Sequence, residues 1–184
     1  MDFKQVTKRL VSAFKEQKVG YALMGGFALG VWGVVRTTID MDFLVSRDDI
    51  EKVHSIMSAM GYDLQYKTEN VSQYVSSVGV FGEVDFLHAF REISMRMLKN
   101  ARDVEIFNGE ITIKVLRVED IIGLKVQAIA NDASRTDKDL ADIEGLLAGN
   151  KGSIDWTVLQ SYFSLFSFEE LFDRLKAHYG RIDR

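Results

Sequence analysis

The feature that most constrains this chain is a short stretch near its start, in which two apolar segments flank a glycine pair and an aspartate pair. The segment Val19–Met24 runs directly into Gly25 and Gly26, and thirteen residues later Asp40 and Asp42 lie inside a second apolar segment. A helix that begins just after a strand and a glycine pair presents free backbone N–H groups, which bind anions. The stretch therefore predicts an α/β fold with a phosphate site, although a simple tight turn uses a glycine pair too.

The aspartate pair predicts a cation site on one face of a strand. In a strand over residues 39–45, alternate side chains share a face, so Asp40 and Asp42 point one way while Met41 and Phe43 point into the core. Two carboxylates about 6–7 Å apart repel each other unless water screens them or a cation bridges them. The pattern fits a Mg²⁺ site, and the solvent-washed face of an exposed strand would show it as well.

Further polar residues near this strand fit the same chemistry. Arg36, Thr37 and Thr38 come just before it and supply a cation and two hydroxyls suited to phosphate. Asp85 lies between two core positions of a strand predicted over residues 80–88, and would be a third carboxylate in the sheet. A lone aspartate in a strand can also be purely structural.

The second half of the chain changes to helical periodicity and places two charges on apolar faces. Lys125 falls near the middle of the apolar face of a helix that begins near Val118. A buried ammonium is costly unless it is paired, opens onto a polar cleft or reaches the surface along its stem. Asp139 lies among apolar residues of the next helix, where it could equally stabilise the first turn.

Composition limits the functional classes. The 184 residues carry a net charge of −4, which argues against a general nucleic-acid coat protein. No cysteine is present, which excludes disulfides, thiol nucleophiles and zinc–thiolate sites. No run reaches the roughly 20 apolar residues of a membrane span, so we expect a cytoplasmic protein without a membrane partner.

The predicted elements divide the chain in two. Strands over residues 62–67, 71–79 and 80–88 and a hairpin over 103–107 and 111–115 predict a mixed β-sheet flanked by helices. We expect residues 1–116 to form this α/β core and residues 117–184 to form a helical C-terminal part.

Taken together, these motifs resemble those of the DNA polymerase beta-type nucleotidyltransferase superfamily. The resemblance rests on G-G, thirteen residues and D-x-D, and it extends from about residue 19 to residue 148. The runs R-T-T-x-D-x-D-F, E-D-I-I-G-L-K and R-T-D-K-D-L-A-D-I are similar to the AbiEii toxin branch and to related bacterial domains of unknown function.

The resemblance implies a metal-dependent reaction. By analogy with the superfamily, Asp40 and Asp42 hold the metal ions that bridge a triphosphate, either two Mg²⁺ ions or Mn²⁺. Asp85 would be the third ligand and would help to activate the attacking hydroxyl.

The resemblance also implies a set of nucleotide contacts. Gly25 and Gly26 would cradle phosphate, Lys125 would meet the nucleotide or its triphosphate, and Asp139, with Asp142 as a second candidate, would match a later acidic position. Many members have Ser after the first Gly, whereas this chain has Gly26, so the hydroxyl contact to phosphate is missing.

The expected function is Mg²⁺-dependent transfer of a nucleoside monophosphate from an NTP to a hydroxyl acceptor. The acceptor could be an RNA end such as that of a tRNA, a protein side chain or a small molecule, and the protein could be the toxin of a toxin–antitoxin pair with an antitoxin partner. The alternative is a non-catalytic module that binds a nucleotide or a partner on a degenerate nucleotidyltransferase fold.

Overall fold

The computed structural model describes residues 1–180, which form a seven-stranded mixed sheet and eight α-helices. The strands are β1 (Tyr21–Met24), β2 (Asp40–Ser46), β3 (Tyr62–Lys67), β4 (Val71–Ser76), β5 (Glu83–Ala89), β6 (Arg102–Ile106) and β7 (Ile111–Val115). The helices are α1 (Phe3–Glu16), α2 (Gly25–Val31), α3 (Ile50–Ala59), α4 (Glu92–Asn100), α5 (Val118–Asn131), α6 (Thr136–Gly149), α7 (Trp156–Leu165) and α8 (Glu169–Tyr179). The predicted mixed α/β class is confirmed.

Contacts divide the chain into two compact units. The first consists of Met1–Ala28 and Arg36–Leu116 and contains the sheet, and the second consists of Leu29–Val35 and the chain from Arg117 onward. The domain limits expected from the sequence, 1–116 and 117–184, stay a prediction, and residues 181–184 lie outside the described part. Within residues 1–180, every helix is too short or too polar to cross a membrane.

The strand order β3-β4-β5-β2-β1-β7-β6 puts β2 at the centre of the sheet. β2 runs parallel to β5 on one side and antiparallel to β1 on the other. The central position buries the apolar side of β2, and Met41 and Phe43 are fully buried as the alternation predicted.

Aromatic side chains fill the core beneath this sheet. Phe14 of α1 meets Phe43 edge to face, with ring centroids 5.7 Å apart. Phe43 stacks on Phe86 of β5 at 5.8 Å, and Tyr74 of β4 meets Phe86 edge to face at 5.7 Å. Such pairs add to the stability that apolar burial provides. The core therefore fixes the positions of β2 and β5, and with them the side chains on the opposite face of these strands.

The structure differs from the sequence reading in three local features. The strands predicted over 71–79 and 80–88 are shorter, because residues 77–82 form the turn between them. Helix α4 was not predicted; it begins where Ser94 Oγ accepts hydrogen bonds from the backbone N–H groups of Phe90 and Arg91. The run of Asp48 and Asp49 predicts a cap for the helix that follows, but Asp49 makes no side-chain cap on α3, because its carboxylate accepts the Gly20 N–H at 2.8 Å.

In the second unit, polar contacts tie the helices together. Tyr162 of α7 donates a hydrogen bond to Asp120 of α5 at 2.6 Å, and Glu119 accepts the backbone N–H of Asp155 at 2.8 Å. Gly123 leaves room for this arrangement, because a Cβ there would lie 2.7 Å from the Tyr162 ring.

Candidate active site

Three of the predicted carboxylates lie together on the two central parallel strands. In the register of β2 with β5, Asp42 lies opposite Asp85 and Asp40 lies opposite Glu83. Alternate residues share a face, so these four acids lie on the side of the sheet that faces away from the aromatic core. The fold thus concentrates negative charge on one patch of the sheet.

Asp42 has the most perturbed carboxyl group of this patch. Burial, together with the negative charges of Asp40 and Asp85, raises its pKa from 3.8 to about 7. The hydrogen bond from the Gly26 backbone N–H and the charge of Arg36 oppose this rise only in part. Any added positive charge near such a carboxylate stabilises its ionised form.

The glycine pair lies directly against this carboxylate. Gly25 has a φ of +66°, and a Cβ there would lie 1.8 Å from Asp42 Oδ2. A Cβ on Gly26 would lie 2.5 Å from Thr38 Oγ1. Both positions therefore need glycine, because the backbone turn, Asp42 and Thr38 approach one another too closely for any side chain.

The loop that leads into β2 supplies further polar groups. Thr38 Oγ1 donates a hydrogen bond to Asp40 Oδ1 at 2.7 Å, which fixes the direction of that carboxylate. Arg36 is close enough to lower the pKa of Asp42, and Thr37 in the same loop is exposed.

Asp85 is held by a residue that the sequence reasoning missed. Gln73 of β4 lies opposite Asp85, and its Nε2 donates to Asp85 Oδ2 at 3.1 Å. The other carboxylate oxygen, Oδ1, is buried and has no hydrogen-bond partner in residues 1–180. Burial raises the pKa of Asp85, partly offset by the Gln73 hydrogen bond, and the charge of Asp40 raises it further.

Glu83 is a second residue of this patch that the sequence did not indicate. Its pKa is raised by burial and by the charges of Asp85 and Asp40. Its pairing with Asp40 could have been found only from the register of β2 and β5, which the sequence does not state.

The donor set of this patch fits a hard divalent cation. Within the described residues, no three acidic or histidine side chains converge closely enough to form a ready-made metal cage. Asp42 and Asp85, whose pKa values are raised by burial and by neighbouring carboxylates, and one buried, unpartnered oxygen are nevertheless the groups that Mg²⁺ neutralises, usually with substrate phosphates completing its coordination.

The two candidates from the second half of the chain form a separate cluster in the helical unit. Lys125 donates hydrogen bonds to Asp139 at 2.9 Å and to Asp142 at 2.5 Å, and Arg135 donates to Asp139 at 2.8 Å. Burial would raise the pKa of Asp139, but the hydrogen bonds from Arg135 and Lys125 outweigh it, and the pKa lies below its ordinary value. The buried ammonium is therefore paired, which was one of the alternatives for Lys125.

Comparison with known proteins identifies the class. A family model described as uncharacterised nucleotidyltransferase matches residues 3–172. No curated protein sequence matches the chain significantly.

Solved structures share the fold at low sequence identity. The antibiotic-resistance factor ANT(2'')-Ia is 14% identical, covers 98% of this chain and 99% of its own, and superposes with a TM-score of 0.68. The lincosamide antibiotic adenylyltransferase LnuA, solved with lincomycin bound, is 14% identical over 77% of this chain and 94% of its own, with a TM-score of 0.55. An antigenic nucleotidyltransferase-like protein from Paracoccidioides brasiliensis is 18% identical over 96% and 93%, with a TM-score of 0.58.

The match to the family model covers most of the chain, and the neighbours in fold agree with it. The chain therefore belongs to the family described as uncharacterised nucleotidyltransferases and is an enzyme of the nucleotidyltransferase class.

Proposed function

We propose that the enzyme transfers a nucleoside monophosphate from an NTP to a hydroxyl acceptor in a reaction that depends on Mg²⁺. The observation that carries this proposal is the patch of Asp40, Asp42 and Asp85, in which burial and the charges of Asp40 and Asp85 raise the pKa of Asp42 to about 7. A site of this kind, next to the turn of Gly25 and Gly26, suits a substrate that brings both phosphates and divalent cations.

The three aspartates are the residues that would hold the metal, as two Mg²⁺ ions or as Mn²⁺. When bound, the metal neutralises the charge of the triphosphate and of the departing pyrophosphate. In the structure the Gly26 N–H donates to Asp42, so the phosphate contacts of the Gly25–Gly26 turn stay a prediction from the motif; Arg36, Thr37 and Thr38 would add a cation and hydroxyls.

The transfer itself makes and breaks one bond to phosphorus. The acceptor hydroxyl oxygen forms a bond to the α-phosphorus, the bond from that phosphorus to the pyrophosphate oxygen breaks, and pyrophosphate leaves. Asp85 accepts the hydroxyl proton as a general base.

Lys125 and Asp139 remain predictions as nucleotide-binding residues. Their assignment rests on the resemblance to the superfamily. Their ion pairs give each residue a structural task within the helical unit, and this task is sufficient to account for their burial.

The acceptor and the biological role are proposed in less detail than the reaction. The lincomycin-bound LnuA has the same fold and favours a small-molecule acceptor over an RNA end or a protein side chain. A role in the cytoplasm of bacteria as an AbiEii-like toxin with an antitoxin partner rests on the resemblance alone. It predicts that overexpression stops growth and that Asp42→Asn relieves the arrest.

The decisive test of the proposed reaction is an Asp42→Asn variant assayed for NTP turnover and pyrophosphate release. We expect a loss of activity of about a hundredfold or more, because a neutral amide holds a divalent cation more weakly than a carboxylate does and brings no negative charge to the metal site. Asp103→Asn is the matched control, since Asp103 is an exposed strand aspartate in an ion pair with Lys114. Full activity in Asp42→Asn would contradict the proposal, and Mg²⁺-dependent NTP binding without turnover in the wild type would favour the non-catalytic alternative.

A further inference from the structure

One transverse row of side chains crosses five strands of the sheet at the level of the acid patch. The registers place Met24 opposite Asp42, Asp42 opposite Asp85, Asp85 opposite Gln73, and Gln73 opposite Tyr66. Directly opposed residues share a face of the sheet and interact. The row therefore continues the acid patch beyond Asp85 with two uncharged polar residues.

Tyr66 reaches this face through an irregularity in the edge strand β3. Leu64 pairs with Tyr74, but the register then shifts, so that Tyr66 pairs with Gln73 and Gln65 is left without a partner. In a regular strand Tyr66 would share the face of Leu64. Bulges of this kind redirect side chains and occur next to active sites, and this one turns an aromatic ring toward the acid face.

The five residues of the row line a pocket of about 280 Å³, together with other residues of β2, β4 and β5. Val71 and Leu87 are apolar parts of its wall, and Tyr66 contributes a half-exposed ring. Apolar walls around a few polar groups are typical of sites for small molecules, and this volume is near the lower end of their range.

The two sides of the aspartates differ in the ligand they suit. The β1 side ends in the Gly25–Gly26 turn, whose N–H groups suit phosphate. The pocket on the β4 and β5 side has no lysine or arginine in its lining among the described residues, while Asp42 and Asp85 line it and Glu83 lies beside Gln73. Such a lining offers no side-chain cation to the phosphate groups of an acceptor.

We propose that Tyr66 and Gln73 form the acceptor half of the active site and that the acceptor is a small hydroxyl-bearing ring compound without phosphate groups. This assignment rests on the proposed transfer reaction. The ring of the acceptor packs against the Tyr66 ring and the apolar wall, and its hydroxyl meets Asp85.

Gln73 acts as a positioning residue in this arrangement. Its Nε2 donates a hydrogen bond to Asp85 Oδ2 at 3.1 Å, which fixes the direction of that carboxylate beside the pocket. Loss of this hydrogen bond to a charged group should reduce the rate of transfer without weakening the binding of the NTP.

The experiment offers an NTP labelled in its α-phosphate to two acceptor pools, total RNA and a low-molecular-weight extract of bacterial cells. We expect the wild type to label a compound of the low-molecular-weight pool. With that compound purified, Tyr66→Ala should raise its KM about tenfold and Gln73→Leu should lower kcat about tenfold, because each loses one substantial contact. Gln73→Asn and Tyr66→Phe test whether a shorter amide and a ring without its hydroxyl restore the respective parameters.

Matched measurements separate the possible failures. Leu64→Ala, on the same strand but on the other side of the register shift, should transfer like the wild type. Calorimetric titration of the NTP with Mg²⁺ should give the same affinity for Tyr66→Ala, Gln73→Leu and the wild type. Label in RNA, no label in either pool, or variants that transfer like the wild type would overturn the acceptor assignment while NTP binding persists. A wild type that binds no NTP would instead overturn the proposed function, and the acceptor assignment with it.

Discussion

Two clusters of aspartates in this protein, one partly buried in the sheet and one buried in the helical unit, have opposite electrostatic character. In the sheet, Asp42 lies beside Asp40 and Asp85, and burial and like charges raise its pKa to about 7. In the helical unit, Asp139 is fully buried but lies between Lys125 and Arg135, whose hydrogen bonds hold its pKa below the ordinary value. The same residue type is thus stabilised in one cluster and strained in the other.

The difference indicates what each cluster is for. A buried carboxylate that is fully paired contributes to a specific packing arrangement and needs no ligand. Carboxylates that repel one another cost folding free energy, and they are typical of sites that a substrate or cation completes. The helical cluster is the more buried of the two, since Asp139 and Asp142 are buried while Asp40, Asp42 and Asp85 are partly buried, so the direction of the pKa shift and not burial marks the site.

The largest expected effect is a loss of folding stability when a charge is removed from the helical cluster. Asp139→Asn should lower the free energy of unfolding by about 3–5 kcal/mol, because it removes the buried carboxylate charge that pairs with the largely buried Lys125 ammonium and with Arg135. Denaturant unfolding measures this directly. Asp137→Asn is the control, since Asp137 is an exposed aspartate in the same first turn, and it should cost less than about 1 kcal/mol. Equal losses of stability in the two variants would show that Asp139 stabilises the fold no more than an exposed aspartate of the same turn.

The next effect is an opposite dependence of stability on pH. Because folding raises the pKa of Asp42 from 3.8 to about 7, its contribution to stability is fully present below about pH 4 and is lost as the pH rises through about 7. The pKa of Asp139 is lowered, so its contribution is present above about pH 4 and is lost as the pH falls below that.

Urea unfolding between pH 3 and pH 8 in EDTA checks this prediction. Between pH 4 and pH 7, wild type should lose up to about 4 kcal/mol relative to Asp42→Asn. If the free energy of unfolding changed with pH in the same way in both proteins, folding would not raise the pKa of Asp42.

The smallest expected effect concerns the turn that lies against Asp42. Gly25→Ala should destabilise the fold by at least about 1–2 kcal/mol, because alanine disfavours a φ of +66° and its Cβ would overlap Asp42 Oδ2. Gly30→Ala in the same helix meets nothing within 4 Å and should be neutral or stabilising. Thermal unfolding compares them, and a tolerated Gly25→Ala would mean that Asp42 does not need this close approach.

The sequence predicted the parts of the site that depend on local periodicity. Asp40 and Asp42 could be placed on one face because Met41 and Phe43 had to be buried, and the structure buries both. Asp85 could be selected because the same alternation recurs around it. The roles of these residues stay predictions, but their common location follows from the packing of two apolar strands.

The parts that depend on long-range register could not be predicted. Gln73 meets Asp85 only because β4 pairs with β5, and Tyr66 reaches the same row only through a register shift. Lys125 and Asp139 each stand out in the sequence as a charged residue among the apolar residues of a helix, but their pairing depends on the packing of α5 against α6. Helix α4 was missed because its amphipathic pattern is short and its first turn is fixed by Ser94.

The most direct test of the central claim is a calorimetric titration of the wild type and an Asp40→Asn/Asp42→Asn variant with each common NTP, once with Mg²⁺ and once with EDTA. Binding of at least one NTP to the wild type in Mg²⁺, lost both in EDTA and in the variant, is the result expected if the strained aspartates are a metal–nucleotide site. NTP affinity that is unchanged by EDTA and by the double substitution would contradict it.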